Sequence, residues 1–412
     1  MIKWITSSIG TTSSLNKKLE NFTYIDVREL LDDCGNSLRL IQEIIRNSLL
    51  SLDKNKKIVI FCHYGMSRSN SIAAAVLSKY KKISFNDAVR IVIQKTRESN
   101  INISFLNTVR MALDENKINT KQNNILVTGS SGFIGSNLVN YLKKNNPNII
   151  TFNRDSIDLY NDTVKLDLLV KENNIDKIIH LANPRIKTTN ASLGETIVIL
   201  KNILDISINN NAHLYYLSGW NVFNNTLIDS KLVIDENTSL NPRDTYGFSK
   251  VLAENLIDIY IKNQSLKSTI IYSSGLYNHI KGPNLIFNFF EKALKNEPIK
   301  IHKYLNGFSK IPLLHIDDFI ILLKNLIELQ KPPQKLILSS ENSYSIFDIA
   351  KKIINLCSST SKIIYHDIFK NTFRSKFNLE KMKNLLNYSP KISLDEGLKK
   401  IKENIKTKNY GK

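Results

Sequence analysis

The stretch that decides the fold is Asn124-Ile-Leu-Val-Thr-Gly-Ser-Ser-Gly-Phe-Ile-Gly-Ser136. Its apolar, β-branched start, Ile125 to Val127, predicts a buried parallel strand. Three glycines follow at fixed spacing, Gly129, Gly132 and Gly135, and a helical pattern begins among them. Glycine permits a tight turn, lets the backbone approach a pyrophosphate, and lets helix and strand pack closely. The stretch therefore predicts a dinucleotide phosphate site at a strand-to-helix junction.

From this point strand and helix patterns alternate along the chain, as in a doubly wound parallel α/β sheet. The second strand, Asn148 to Asn153, is followed by Arg154 and Asp155, with Asp158 close behind. An acidic residue at this place favours the free 2′-hydroxyl of the adenosine ribose, whereas an arginine suits a 2′-phosphate. The predicted cofactor is therefore NAD or NADP, and Arg154 slightly favours NADP.

Two further motifs lie downstream, Asp176-Lys-Ile-Ile-His-Leu-Ala-Asn183 and Tyr246-Gly-Phe-Ser-Lys250. With the glycines, they make residues 124–405 resemble the extended short-chain dehydrogenase/reductase family, in particular its nucleotide-sugar epimerases, dehydratases and reductases. The resemblance implies a Rossmann-type sheet with a small C-terminal substrate subdomain, and Arg374 is a candidate for a nucleotide phosphate. The cofactor-binding residues that it implies are Gly129, Gly132, Phe133, Ile134, Gly135, Arg154, Asp158, Leu181, Ala182 and Lys250.

Tyr246 and Lys250 share one face of a helix because they are four residues apart. The Lys250 ammonium and the nicotinamide charge are expected to lower the pKa of the Tyr246 phenol towards neutrality. Tyr246 would then move a proton at a sugar hydroxyl while a hydride moves to or from nicotinamide. The family places Ser or Thr three residues before a Val-Phe or Val-Tyr pair, which here is Gly219, with Ser218 one residue earlier. Either Ser218 serves as the catalytic hydroxyl or that hydroxyl is missing.

A second reactive motif precedes these elements in the chain. The apolar strand Ile58 to Phe61 delivers Cys62 into a loop, and a helix is predicted from Ser71. The spacing of Cys62 and Arg68 lets one loop wrap a phosphate with backbone N–H groups, a helix N-terminus and a guanidinium. The same field favours a Cys62 thiolate, the nucleophilic form. The predicted phosphate-binding residues are His63, Tyr64, Gly65, Met66, Ser67, Arg68 and Ser69.

With the segment Ile83 to Arg97, this loop makes residues 20–115 resemble the dual-specificity (tyrosine phosphatase-like) cysteine phosphatases, whose signature is Cys-x5-Arg followed by Ser or Thr. The resemblance implies Cys62 as nucleophile, Arg68 as transition-state stabiliser and an upstream Asp as general acid. Asp32 is the favoured acid, and Asp33 and Asp26 remain alternatives.

Two other interpretations of the N-terminal part remain open. Phe61 stands where the phosphatase family usually has His, so a module that binds phosphate without hydrolysing it is one alternative. The run Ile25-Asp-Val-Arg-Glu29 suggests a rhodanese-like module as another.

A polar stretch without apolar periodicity, Asp114 to Asn123, separates the two motif regions. A chain of 412 residues is expected to hold more than one domain. The predicted boundary lies near residue 118, which gives a phosphatase-like domain over 1–117 and a dinucleotide-binding domain over 118–412.

The composition limits the partners. The net charge is +20, but the lysines are scattered among Asn and Ile, so no nucleic-acid partner is predicted. No apolar run reaches about 18 residues, so no membrane span is expected. The N-terminus shows no secretory signal and the three cysteines form no disulfide framework, which predicts a cytoplasmic protein. No metal-ligand spacing is present, and no metal is predicted.

The leading hypothesis is an NAD(P)-dependent nucleotide-sugar epimerase, dehydratase or 4-keto-sugar reductase fused to a cysteine phosphatase that takes a phosphorylated substrate. Surface-polysaccharide sugar synthesis is the expected setting, and the family resemblance implies a homodimer. The alternative, motivated by Gly219, is a dinucleotide-binding sensor without sugar turnover that regulates the attached phosphatase.

Overall fold

The structure, a computed structural model, describes residues 1–13, 22–113, 124–144, 148–184, 189–223, 232–278, 285–372 and 376–409. The predicted boundary near residue 118 and Arg374 both lie outside the described residues.

The N-terminal part is a four-stranded sheet with four helices. Its elements are β1 (Lys3–Trp4), β2 (Ile9–Thr12), β3 (Phe22–Asp26), α1 (Leu38–Asp53), β4 (Lys57–Phe61), α2 (Arg68–Lys81), α3 (Phe85–Thr96) and α4 (Ile103–Ala112). The strand order is β1-β2-β4-β3, and β4 runs parallel to both β2 and β3. Helix α2 is buried along most of its length, so the loop before it is anchored by β4 on one side and α2 on the other.

The next part alternates strands and helices as predicted. Its elements are β5 (Asn124–Thr128), α5 (Phe133–Leu142), β6 (Ile149–Thr151), α6 (Thr163–Glu172), β7 (Ile175–His180), α7 (Asn190–Asn209), β8 (His213–Gly219), a 3₁₀ helix (Trp220–Phe223), β9 (Val233–Ile234), α8 (Thr245–Gln264) and β10 (Ser268–Ser273). All five residues of β5 are buried, which explains the apolar run from Ile125 to Val127.

The C-terminal elements are shorter, and helices cover small sheets. They are β11 (Gly275–Tyr277), α9 (Leu285–Leu294), β12 (Ile299–Tyr304), β13 (Gly307–Phe308), β14 (Lys310–His315), α10 (Ile316–Glu328), β15 (Lys335–Leu338), β16 (Ser343–Ser345), α11 (Ile346–Cys357), β17 (Ile363–Ile368), β18 (Lys376–Phe377), α12 (Glu380–Leu386) and α13 (Leu394–Asn409). An apolar core that includes Phe289, Phe290, Ile353 and Leu398 joins α9, α11 and α13.

The largest sheet has six strands in the order β15-β10-β8-β7-β5-β6. Strand β10 pairs in parallel with both β8 and β15. The chain order reverses direction between β5 and β7, so the carboxyl ends of these two strands form a topological switch point. Ligands of doubly wound sheets bind at such points.

By its internal contacts the chain forms two compact units, residues 1–126, 152–178 and 198–212 in one, and residues 127–151, 179–197 and 213–412 in the other. The first unit groups α6 with the N-terminal helices, a contact that the sequence did not indicate. In the described part of the chain, none of the helices combines the length and apolarity needed to cross a bilayer.

Candidate active sites

The cysteine loop lies between the end of β4 and the start of α2. Cys62 is 2% exposed, and its Sγ accepts a hydrogen bond from the Gly65 backbone N–H at 3.2 Å. Ser69 Oγ lies 3.4 Å from the same sulfur. Gly65 has φ +69, and a Cβ there would lie 2.7 Å from the Ser13 backbone nitrogen. Only glycine fits this turn, because both the conformation and the space exclude a side chain.

The environment of Cys62 favours its thiolate. Burial acts to raise the pKa of the thiol, but hydrogen bonds from Ser69, Gly65 and Tyr64 outweigh burial and lower the pKa below 9.0. This direction is the one predicted for a nucleophilic cysteine, and it arises although Phe61 replaces the usual histidine.

The guanidinium of Arg68 is held at the loop by fixed acceptors. Its Nη1 donates to the carbonyl oxygens of Arg28 (3.0 Å) and Leu30 (2.8 Å). Its Nη2 donates to His63 Nδ1 at 3.1 Å. Tyr64 is 78% exposed, so the ring stands at the rim of the loop and not beneath it.

The candidate general acids differ sharply in their surroundings. Asp32 Oδ1 accepts a hydrogen bond from Ser67 Oγ at 2.5 Å, which joins this carboxylate to the cysteine loop. Asp26 instead forms an ion pair with Arg28 at 2.6 Å, and the hydrogen bond from Arg28 lowers the pKa of Asp26. A carboxylate held ionised in this way is a poor proton donor. Asp33 Oδ1 accepts the backbone N–H of its neighbour Cys34. Among the described hydrogen bonds of the three carboxylates, only that of Asp32 joins the cysteine loop, so the geometry favours Asp32.

The glycine turn after β5 is shaped by backbone contacts. Gly129 has φ +66, and a Cβ there would lie 2.7 Å from the Ala182 backbone nitrogen. A Cβ at Gly135 would lie 2.1 Å from the Gly129 carbonyl oxygen. Gly132 is the N-cap of α5, whose first two residues are Phe133 and Ile134. The turn is therefore a side-chain-free cradle at a helix N-terminus, which suits a pyrophosphate.

Thr128 and His180 connect the two strands at the switch point. Thr128 Oγ1 accepts the backbone N–H groups of Leu181 (3.2 Å) and Ala182 (3.3 Å), and it lies 2.8 Å from His180 Nδ1. Burial lowers the pKa of His180 to about 3, so its ring is neutral at physiological pH. Since Thr128 already accepts two bonds, its hydroxyl proton is directed at His180 Nδ1.

Arg154 and Asp158 lie in the loop between β6 and α6. Arg154 is exposed. The carboxylate of Asp158 accepts the Tyr160 backbone N–H at 3.1 Å and the Asn161 side-chain amide at 2.8 Å. The carboxylate of Asp158 is therefore held by its own turn, and the predicted roles of Arg154 and Asp158 in cofactor binding stay predictions.

Lys250 is almost completely buried, at 1% exposure. Its Nζ donates to the Leu217 carbonyl oxygen (2.9 Å), the Tyr216 hydroxyl (3.2 Å) and Asn183 Oδ1 (3.2 Å). The same ammonium lies 5.7 Å from the centre of the Tyr246 ring, on the shared helix face that the spacing predicted.

The pKa of Tyr246 differs from its predicted direction. Burial, followed by the negative charge of Asp244, raises it to about 12 in the protein alone. Burial disfavours the phenolate, whereas the predicted lowering rests on the charges of Lys250 and of a bound nicotinamide. Tyr246 is consequently a proton donor at neutral pH.

Ser218 is buried and faces helix α8. Its hydroxyl donates to Glu254 Oε1 at 2.6 Å, and the other oxygen of Glu254 accepts the Tyr272 hydroxyl at 2.7 Å. The serine is therefore occupied in a buried polar cluster. At Gly219 an added Cβ would meet only Asn221 Oδ1 within 4 Å, at 3.6 Å, so a side chain would fit where this chain has none.

A small pocket lies beside Tyr246, and its lining includes side chains that carry hydroxyl and amide groups. It is lined by Asn183, Pro184, Ser192, Leu193, Thr196, Thr245, Tyr246 and Ser249. Such groups suit a sugar, because each hydroxyl of a sugar both donates and accepts hydrogen bonds.

Several residues of these sites were not predicted from the sequence. Tyr216 and Asn183 hold Lys250, and Asn102 contacts the cysteine loop. Asn183 ends a quoted motif and Asn102 precedes a helix, which are signals available in the sequence. Tyr216 and Glu254 belong to a strand and a helix interior, and only the fold brings them to their partners.

The family comparisons agree with this geometry. Residues 125–336 match the model of the NAD dependent epimerase/dehydratase family, and the chain belongs to that family. Residues 3–115 match the model of the dual specificity phosphatase catalytic domain. The two predicted family resemblances are thereby confirmed.

Individual relatives are nucleotide-sugar enzymes. The ADP-L-glycero-D-manno-heptose-6-epimerase of Brachyspira hyodysenteriae is 26% identical over 321 residues, which cover 68% of this chain and 96% of that protein. UDP-glucuronic acid decarboxylase 1 of Xenopus tropicalis is 24% identical over 306 residues, which cover 67% of this chain and 70% of that protein.

Solved structures confirm the predicted Rossmann-type α/β fold. The dTDP-glucose 4,6-dehydratase of Bacillus anthracis in complex with NAD has a TM-score of 0.60 at 21% identity, covering 70% of this chain and 98% of that one. The UDP-glucose 4-epimerase of Thermotoga maritima with UDP-glucose has a TM-score of 0.59 at 20% identity, covering 69% and 99%.

Proposed function

We propose that this chain is an NAD(P)-dependent enzyme acting on the sugar of a nucleotide sugar, fused to a cysteine phosphatase. The observation that carries the first activity is the position of Tyr246, which lines a hydroxyl-rich pocket and shares its helix face with buried Lys250. The backbone cradle around Gly129 and Gly135 fits a dinucleotide pyrophosphate, since any side chain there would fill it.

Reduction of a keto sugar is the reaction that we propose for this site. Bound NAD(P)H would supply the hydride to the carbonyl carbon. Tyr246, protonated at neutral pH, would give its phenolic proton to the carbonyl oxygen and so produce a hydroxyl group. The Lys250 ammonium would stabilise the phenolate left behind, and Leu217, Tyr216 and Asn183 hold that ammonium in place. Reversal of these transfers oxidises the alcohol, as an epimerase also requires.

This proposal is tested with a panel of nucleotide sugars and their 4-keto forms, each with NAD(H) and NADP(H), with products identified by mass spectrometry and NMR. We expect a product from the wild type and a loss of about 10²–10⁴-fold in Tyr246→Phe, the range for a removed acid or base. Tyr260→Phe, on the same helix, serves as the matched control and should retain turnover. A wild type that binds dinucleotide but converts no sugar would overturn the proposal.

Restoring a hydroxyl at position 219 should accelerate this reaction. Gly219→Ser introduces a hydrogen-bond donor where the family places one, and the site has room for it. We expect kcat to rise about tenfold or more, since one donor aimed at a reacting oxygen contributes up to 10²–10³. Gly219→Ala is the control for the added Cβ. A Gly219→Ser variant that is no faster than Gly219→Ala would show that the hydroxyl is dispensable here.

For the phosphatase we propose a two-step reaction. The Cys62 thiolate attacks phosphorus, the bond from phosphorus to the leaving oxygen breaks, and Asp32 gives its proton to that oxygen. Water then attacks the phosphocysteine, its proton passes to Asp32, and inorganic phosphate leaves with the thiolate regenerated. Arg68 and the loop N–H groups stabilise the charge on the phosphoryl oxygens in both steps.

A further inference from the structure

Helix α4 begins at the phosphatase loop. Its N-cap is Asn102, whose backbone N–H donates to Ser67 Oγ at 3.0 Å. The side-chain amide of Asn102 donates to the Asp32 carbonyl oxygen at 2.6 Å. Because Ser67 in turn donates to the Asp32 carboxylate, one residue at the start of α4 holds both the loop and the favoured general acid. A displacement of α4 would therefore change the position of Asp32 relative to the loop.

The last turn of α4 makes a buried contact with α6 of the dinucleotide-binding fold. Arg110 is 5% exposed, and its Nη2 lies 3.6 Å from Oδ2 of Asp167, which is fully buried. Lys171, one turn further along α6, lies 3.7 Å from Asp167 and donates to Asn107 Oδ1 on α4 at 3.3 Å. A buried ion pair is costly to break because each charge left behind loses both water and its partner. Helices α4 and α6 are consequently joined by contacts that resist separation.

The other end of α6 lies at the proposed ribose loop, residues 153–162. Asp162 is the N-cap residue of α6, and its carboxylate accepts the Asp158 backbone N–H at 3.0 Å. Asp158 in turn accepts hydrogen bonds from Tyr160 and Asn161. The loop is thus bonded internally and to the start of α6, so a ligand bound to the loop also acts on that helix.

We propose that dinucleotide binding at the loop 153–162 raises the activity of the phosphatase site through α6 and α4. The inference rests on the proposed dinucleotide binding, but it does not require sugar turnover to be present or absent. A dinucleotide bound at the loop favours one position of α6, the Arg110–Asp167 pair transmits this to α4, and Asn102 then holds Asp32 and Ser67 in the productive arrangement. A ligand shifts such an equilibrium only by its preference for one arrangement, and couplings of this kind are typically about 5–150-fold.

The test uses the full chain with O-phosphotyrosine as phosphatase substrate, because its poor leaving group requires the general acid. Calorimetry first establishes binding of NAD and NADP. At saturating dinucleotide we expect kcat/KM for phosphate release to rise at least about fivefold. In Asp167→Asn the rise should disappear while dinucleotide still binds. Asp205→Asn, which breaks the partly exposed Lys201–Asp205 pair on α7, is the matched control and should keep the rise.

A second measurement covers the case in which Asp167→Asn fails to fold. Hydrogen exchange of the wild type should slow in residues 103–112 as well as 163–172 when dinucleotide is added. Bound dinucleotide that changes neither phosphate release nor exchange in 103–112 would overturn the coupling and leave the proposed sugar activity standing. If calorimetry shows no dinucleotide binding, both the coupling and the cofactor assignment are wrong.

Discussion

Replacement of Cys62 by serine is expected to lower the release of phosphate from para-nitrophenyl phosphate by about 10⁴-fold or more, as removal of a catalytic nucleophile does. The loss follows from the geometry of the loop. Hydrogen bonds from Ser69, Gly65 and Tyr64 lower the pKa of the thiol, so the wild type presents a thiolate. A serine hydroxyl at the same place stays protonated at any working pH.

The pH profile gives a further check on the same site. An unshifted thiol would lose its thiolate about tenfold per pH unit below 9.0, whereas a lowered pKa keeps the thiolate as the pH falls and loses it only at the lower value. We therefore expect kcat/KM for para-nitrophenyl phosphate, which needs little help from an acid, to begin its acid-side fall at a pH below 9.0, lower than for an unshifted thiol.

The matched control for Cys62→Ser is Cys34→Ser, because Cys34 is exposed on the neighbouring loop and touches neither Arg68 nor Ser69 in the contacts described. Cys34→Ser should hydrolyse the ester at the wild-type rate. Equal phosphate release from wild type and Cys62→Ser would remove the phosphatase proposal. A wild type that binds phosphate esters without hydrolysing them would favour the binding module instead.

Local sequence patterns predicted the parts of the fold that depend on residues close together in the chain. The strand before the glycines was predicted over Ile125 to Val127 and extends over Asn124–Thr128. The helix after the cysteine loop was predicted from Ser71 and begins at Arg68. Both elements depend on turn residues and an apolar pattern within a few positions, so the local sequence is enough to predict them. The predicted and observed elements differ only in their end residues.

Contacts between residues that are far apart in the chain could not be predicted from local sequence patterns. Ser218 was predicted as one candidate for the catalytic hydroxyl, but its hydrogen bond to Glu254, 36 residues later, at 2.6 Å could not be predicted. The pKa of Tyr246 in the protein alone is raised by burial, which depends on the whole domain and could not be predicted from the spacing of Tyr246 and Lys250. The contact of Arg110 with Asp167 is of the same kind, since each charge alone resembles a surface residue in the sequence.

The replacement of Gly135 by alanine is expected to abolish dinucleotide binding, with a loss of affinity of about 100-fold or more, equivalent to about 2.7 kcal/mol. The added Cβ would lie 2.1 Å from the Gly129 carbonyl oxygen and 2.8 Å from Ser130 Cα. Both are backbone atoms of the phosphate cradle, so the cradle must open to admit the methyl group. Calorimetry with NAD and NADP measures the loss, and thermal unfolding separates it from general destabilisation.

Gly194→Ala provides the contrast that makes this prediction specific. Gly194 lies within α7, and a Cβ there would meet no atom within 4 Å. Alanine should stabilise that helix by about 0.5–1 kcal/mol and leave dinucleotide affinity unchanged.

At Gly132 a Cβ would lie 3.2 Å from the Gly129 oxygen, which leaves room for a small adjustment and predicts an intermediate loss of dinucleotide affinity for Gly132→Ala. If Gly135→Ala bound dinucleotide as tightly as Gly194→Ala, the turn after β5 would not be the pyrophosphate site. Tyr246 could then no longer be assigned as the proton donor beside a bound nicotinamide.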